Sequence, residues 1–206
     1  GQQFADRSGQ GSRGEKVDKA TATRNANAAS KTKILIQLLD QSAARETVRT
    51  VVFCNSLESS RKLENQLNRA DKRSMKRVVL PLHAAIPESK RKASLSAFAR
   101  HERSVLQPMI LVCTDRASRG VDFGGADSPV DHVVLFDWPR DPAEFLRRVG
   151  RTCRAGKSGR CTALVVGRQV ALAREVASAV RGGRRLSALQ VEAGKPPKKN
   201  ADRDDY

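Results

Sequence analysis

Residues 147–156 read RRVGRTCRAG, with four arginines in the first eight positions and two glycines threaded among them. Guanidinium groups repel one another, so their gathering calls for a partner carrying several negative charges or for open solvent. Arg147, Arg151 and Arg154 fall at i, i+4 and i+7, and a helix continued through them would set all three on one face, with Arg148 close to the same side. Guanidinium forks suit the charge spread over phosphoryl oxygens. The alternative is a basic helix end favoured by the macrodipole.

A second stretch, TDRASRGVDF at 114–123, carries chemistry of a matching kind. Thr114 can donate to a phosphate, Gly120 permits close approach of backbone to a ligand, and Asp122 can accept from paired hydroxyls such as a ribose presents. A solvated turn held by local Asp and Thr caps is the competing reading. Asn55 and Ser56 follow the apolar run VVFC and open a helix, which makes a ready anion site. His83-Ala84-Ala85 follows VVLPL in the same way.

The elements that must position these groups alternate along the chain. VRTVVFC, RVVLPL, PMILVCT, VDHVVLFD and CTALVV have the β-branched, continuously apolar character of buried parallel strands. KTKILIQLLDQSAA, SLESSRKLENQLNRA, PESKRKASLSAFAR, DPAEFLRRVGRT and RQVALAREVASAVRGG lie around and between them with helical spacing, Ser56 and Pro87 marking two starts and Gly182-Gly183 an end. Such alternation predicts an α/β fold: a doubly wound, mostly parallel β-sheet flanked by helices, in a single domain. In these sheets ligands bind beyond the carboxyl ends of the strands, where the singled-out residues follow. Residues 1–30 are polar and poor in large apolar groups, which predicts a flexible segment. The domain is expected over 31–190, with a polar tail over 191–206.

The formal net charge is +17 and the pI about 10.6, which makes a polyanion, nucleic acid above all, the natural partner. No apolar run approaches the ~20 residues of a membrane span, so no membrane partner is expected. Cys54, Cys113, Cys153 and Cys161 form no CxxC pair and no zinc-finger spacing, so no metal site is expected and a reducing intracellular setting is. Phe53 and Phe136 read as core, and Trp138 either stacks on a partner or packs under the arginine helix.

VVFCNS, PESKR after LHAA, CTDRASRGVD and RRVGRTCRAG stand in the order and spacing of motifs in the DEAD-box RNA helicases. Across about 31–181 the chain resembles the second, C-terminal RecA-like domain of that family. The resemblance implies that Arg151 and Arg154 are arginine fingers reaching the γ-phosphate of ATP. It makes Asp122 the acid on the ATP ribose, with Gly120 close to the nucleotide. It assigns Asn55, Ser56, Arg91 and Thr114 to the RNA backbone. The implied partners are RNA and the protein's own N-terminal RecA-like domain. The fuller wording, VCTDRASRGVDF with VVLFDWPRDPAEF, is similar to plant and algal organellar members and implies a chloroplast setting.

Four positions depart from the family pattern. Glu88 stands where Gln is usual, Ala84 and Cys153 where Gly is, and Arg147 where His helps couple the two domains. Neither GxxxxGK[ST] nor a DEAD tetrapeptide occurs in these 206 residues. The resemblance places the P-loop lysine, the acid that binds Mg2+ and the general base in the family's first domain, so this chain alone is expected not to hydrolyse ATP. A non-catalytic RNA-binding or chaperone module using the basic face alone is the rival reading.

Overall fold

The structure is a computed structural model and describes residues 29–41, 49–72, 76–101, 107–121, 123, 130–153, 158–167 and 169–182. The expected tail over 191–206 lies outside them, as does most of the 1–30 segment. Helix α1 covers 29–41, so the last two residues assigned to that segment are helical. It is followed by β1 (Arg49–Cys54), α2 (Leu57–Asp71), β2 (Val78–Leu82), α3 (Glu88–Ala99) and β3 (Met109–Thr114). The short α4 (Asp115–Ser118), β4 (His132–Leu135), α5 (Pro142–Val149), β5 (Arg160–Ala163) and α6 (Gln169–Arg181) complete the order.

The five strands form one sheet in the order β2-β3-β1-β4-β5, and every pairing is parallel. Side chains alternate across it as the period of two requires. Val52, Cys54, Ile110, Val112 and Val134 face Leu35 and Leu39 of α1 and Leu63 and Leu67 of α2. Val51, Phe53, Leu111, Cys113, Val133 and Leu135 face the other way, onto Phe98 of α3, Phe123 and Phe145 of α5. Both faces are thus covered, which is why β1, β3 and β4 read as unbroken apolar runs. Pro81 sits in β2, at the edge of the sheet, where its missing N–H costs no ladder bond on the open side.

Local signals fix the helix starts. The Ser59 N–H donates to Ser56 Oγ at 3.0 Å, and the Glu144 N–H to Asp141 Oδ1 at 2.7 Å. Each satisfies a backbone donor that the first turn leaves orphaned. Pro142 follows the second cap in the position where its fixed φ is preorganised. Helix α5 does not run on through the arginines: it stops at Val149, with Gly150 as its cap, and the Gly150 N–H reaches the Leu146 carbonyl at 2.8 Å. A Cβ on Gly150 would stand 3.0 Å from that same oxygen, so the close turn favours glycine.

Candidate functional site

Cys54, Thr114 and Leu135 end the three central strands side by side, in the registers Cys54↔Thr114 and Phe53↔Leu135. The residues that follow them meet around one side chain. Arg148 is 1% exposed, in the last turn of α5, and enters the sheet edge from above. Its Nε donates to Asp115 Oδ1 at 2.8 Å and its Nη2 to Asp115 Oδ2 at 2.5 Å. The same Nη2 donates to Asn55 Oδ1 at 2.6 Å and Nη1 to the Asp137 carbonyl at 2.8 Å. The guanidinium also lies 5.5 Å from the Phe53 ring centroid. A charge so deeply buried is tolerable only when paired and fully bonded, and Arg148 is both.

Arg148 therefore departs from its expected place beside Arg147 and Arg151. Its side chain faces inward while Arg147, one residue earlier, is exposed. The common face drawn through Arg147, Arg151 and Arg154 fails at Gly150, where the helix ends.

Asp137 continues the network. Its Oδ2 accepts from the Asn55 N–H at 3.0 Å and from Ser59 Oγ at 2.7 Å, and Lys31 Nζ stands 3.8 Å from its Oδ1. Lys31 also donates to the Phe136 carbonyl at 3.0 Å, tying α1 to the end of β4. Asp115, Asp137 and Lys31 were not singled out from sequence, and Arg148 was placed with the phosphate-suited arginines rather than in this network. Asp115 directly follows β3 and Asp137 lies two residues past β4, and that position was their only signal.

The expected site residues divide according to their neighbours. Asn55 donates through Nδ2 to the Trp138 carbonyl at 2.8 Å and accepts from Arg148, so both ends of its amide are committed inside the protein. Ser56 is exposed and caps α2. Thr114 ends β3 and its hydroxyl does not cap α4. Arg91 is half-buried and gives Nη1 to the Ile86 carbonyl at 3.0 Å, which folds the turn before α3. Glu88, the departure beside it, is exposed and paired with Lys92 at 2.9 Å. A hydrogen bond from Lys92, then its charge and that of Arg91, hold the Glu88 carboxyl below the usual carboxylate range.

The two motifs read separately in sequence are neighbours in space. Arg151 Nη1 donates to the Val121 carbonyl at 3.0 Å, and its guanidinium lies 5.5 Å from the Phe123 ring centroid. Gly120, next to Val121, has φ +68°, a left-handed conformation that L side chains rarely adopt. Thr152, after Arg151, donates its hydroxyl to the Val130 carbonyl at 2.5 Å and forms a parallel bridge with Val130. Arg154 and Asp122 lie outside the described residues.

The remaining aromatic and thiol readings hold. Phe53 and Phe136 are buried in the core. Trp138 packs against Phe145 with ring centroids 5.9 Å apart, beside α6, so it underlies the arginine helix. Burial is the main cause that raises the Cys54 and Cys113 thiols far above the usual range, and both stay protonated. Among the described residues no group of three or more His, Cys, Asp or Glu side chains is placed to hold a metal ion, and no helix is long and apolar enough to cross a membrane.

The model of the helicase conserved C-terminal domain matches residues 30–156. The chain is 46% identical over 143 residues to DEAD-box ATP-dependent RNA helicase 50 of Oryza sativa subsp. japonica, covering 69% of this chain and 21% of that one. It is 42% identical over 160 residues to DEAD-box ATP-dependent RNA helicase 50 of Arabidopsis thaliana, covering 77% and 20%. Among solved structures it resembles Mss116p (NTE and C-tail double deletion) bound to ssRNA and AMP-PNP, with a TM-score of 0.59 and 25% identity over 74% of this chain and 28% of that one. The chain thus spans about a fifth of the length of these curated relatives.

Proposed function

The chain belongs to the DEAD-box RNA helicases as a helicase C-terminal domain, and on that premise we propose that it is the second RecA-like half of an ATP-dependent RNA helicase. In this reading it grips the RNA backbone and presents arginine fingers and a ribose contact to ATP held by the preceding RecA-like domain.

One observation carries the reading: Arg151 is bonded to Val121, between Gly120 and the Asp122 position, and so joins the two phosphate-suited motifs 30 residues apart. A basic helix end serving only the macrodipole would have no reason to lie against that turn. The buried Arg148–Asp115 fork holds α5 to the sheet edge and sets where Arg151 emerges. In the reaction Arg151 and Arg154 stabilise charge on the γ-phosphoryl oxygens, while Asp122 accepts from the ribose and Gly120 lets the backbone come close. Magnesium and the triphosphate are assigned, by the resemblance, mainly to the preceding domain.

RNA is assigned to the edge formed by Ser56, Arg91 and Thr114, through phosphates, which makes recognition tolerant of sequence. Asn55 acts there by holding the loop. A plastid location belongs to the same proposal and rests on the wording VCTDRASRGVDF with VVLFDWPRDPAEF.

The test is RNA-stimulated ATP hydrolysis by a protein that contains this chain and the preceding domain. Arg151→Ala or Arg154→Ala is expected to lower turnover by about 10³-fold or more, the usual worth of an arginine finger, with RNA affinity retained. Unchanged turnover sinks the finger assignment. A longer protein that binds RNA yet never hydrolyses ATP points instead to the chaperone reading.

A further inference from the structure

Cys153 stands among the arginines, where the family has glycine, and it has paid no attention to the backbone preference of its type: its φ is 55°, in the left-handed region. It is exposed, and so is Cys161 in β5. The two segments touch. A Cβ on Gly159 would stand 3.0 Å from the Cys153 nitrogen and 3.2 Å from its Sγ, and would run into the Thr152 hydroxyl. Glycine at 159 is what lets the arginine segment lie against the start of β5.

Cys161 is on the same side. The Thr162 hydroxyl meets His132 Nε2 at 3.0 Å on one face of the sheet. Ala163 packs on the opposite face with Phe123 and Val130, and the alternation of the strand sends Cys161 there too. Thr152 bridges to Val130 and Arg151 lies over Phe123, so the two residues that lead into Cys153 reach the same face. Gly159 and Cys161 are two residues apart, about 6.6 Å along an extended chain.

We propose that Cys153 and Cys161 are a modification site, a dithiol that a hydroperoxide closes to a disulfide, drawing the segment after Arg151 along β5. The Cys153 thiolate attacks one peroxide oxygen, the O–O bond breaks, and a sulfenic acid forms with release of water. The Cys161 thiol then attacks that sulfur, the S–O bond breaks, and a second water leaves as S–S forms. Two thiols lose two electrons in all and one peroxide is reduced. A disulfide needs its Cα atoms within about 4.4–6.8 Å, so closure moves Cys153 from its place beside Gly159 towards Cys161. Desolvation against the sheet, and then the Cys153 thiol nearby, push the Cys161 thiol up to about 11, which leaves it protonated at neutral pH and a poor first nucleophile. The other two thiols are buried and protonated, and so take no part.

The effect on turnover rests on the proposed function, whereas the linkage does not. The first measurement is therefore made by mass. After mild hydrogen peroxide, tryptic mapping of this chain is expected to show Thr152–Arg154 joined to Cys161–Arg168, reversed by dithiothreitol and absent in Cys161→Ser. Cys153 carried on to sulfinic acid without a link, or a link to Cys54 or Cys113, overturns the site. In the protein with the preceding domain, peroxide is expected to lower ATP turnover at least about tenfold, because small displacements of catalytic groups cost that much. Dithiothreitol restores it, and Cys161→Ser resists the loss. A link that forms without loss of turnover overturns the displacement, and an inactive reduced protein counts against the helicase reading while the mass result stands.

Discussion

Arg148 and Asp115, 33 residues apart in sequence, meet through two parallel hydrogen bonds of 2.8 and 2.5 Å at the carboxyl edge of the sheet. The pair joins the end of β3 to the last turn of α5, and its further bonds to Asn55 and Asp137 bring in β1 and β4. A change at any of these residues is thus felt where Arg151 leaves the helix.

Arg148→Leu leaves Asp115 without its buried partner and Asn55 Oδ1 without a donor. The expected loss is about 3–5 kcal/mol of folding stability, the cost of breaking a buried pair from one side. Urea unfolding measures it. In a cycle with Asp115→Asn the double variant should lose much less than the sum of the two singles, and additive losses would show that the pair is not coupled.

Asn55→Ala separates a positioning role from a contact with RNA. Two internal hydrogen bonds go with the amide, so stability should fall by about 1–3 kcal/mol. RNA affinity, measured at a temperature where the variant stays folded, should change less than it does for Arg91→Ala. A variant with full stability and weakened RNA binding would return Asn55 to the RNA surface.

Gly120→Ala tests the turn beside Arg151. Among the described residues beyond its chain neighbours no atom lies within 4 Å of the added Cβ, so the expected effect is that of the left-handed φ. About 1–2 kcal/mol of stability should be lost. If the nucleotide passes here, KM for ATP in the protein with both domains should rise as well, and an unmoved KM would place the nucleotide elsewhere.

His132 makes the fold sensitive to acid. It is fully buried in β4, and desolvation, followed by repulsion from Arg160, lowers its pKa to about 4 from an ordinary 6.5. Between those values the unfolded chain binds a proton that the folded chain refuses. The contribution of the neutral imidazole is therefore complete above pH 6.5 and lost as pH falls towards 4, amounting to about 3 kcal/mol. Unfolding midpoints in urea from pH 7 to pH 4 should fall along this course. His132→Gln should flatten it, and an equal slope in the variant would assign the acid sensitivity to other groups.

The architecture was legible in the residues because its signals are local. VVFC, MILVC and HVVL are buried on both faces and so show as apolar runs, while Ser56 and Asp141 cap helices through bonds to residues three positions away. The edge to be searched for ligands follows from the parallel order alone. Identity by type ends there. Arg147 and Arg148 are the same residue side by side, and nothing in the local pattern says that one is exposed and the other buried. That choice belongs to Asp115 and Asn55, which reach Arg148 only when three strands end together. Likewise Arg151 finds its place through the Val121 carbonyl and the Phe123 ring, not through a helix continued past Gly150. Residue types and spacing determined which groups suited to phosphate this protein has. Tertiary structure alone decided which of them are spent on one another, because burial turns a charge from a solvated side chain into one that must be paired.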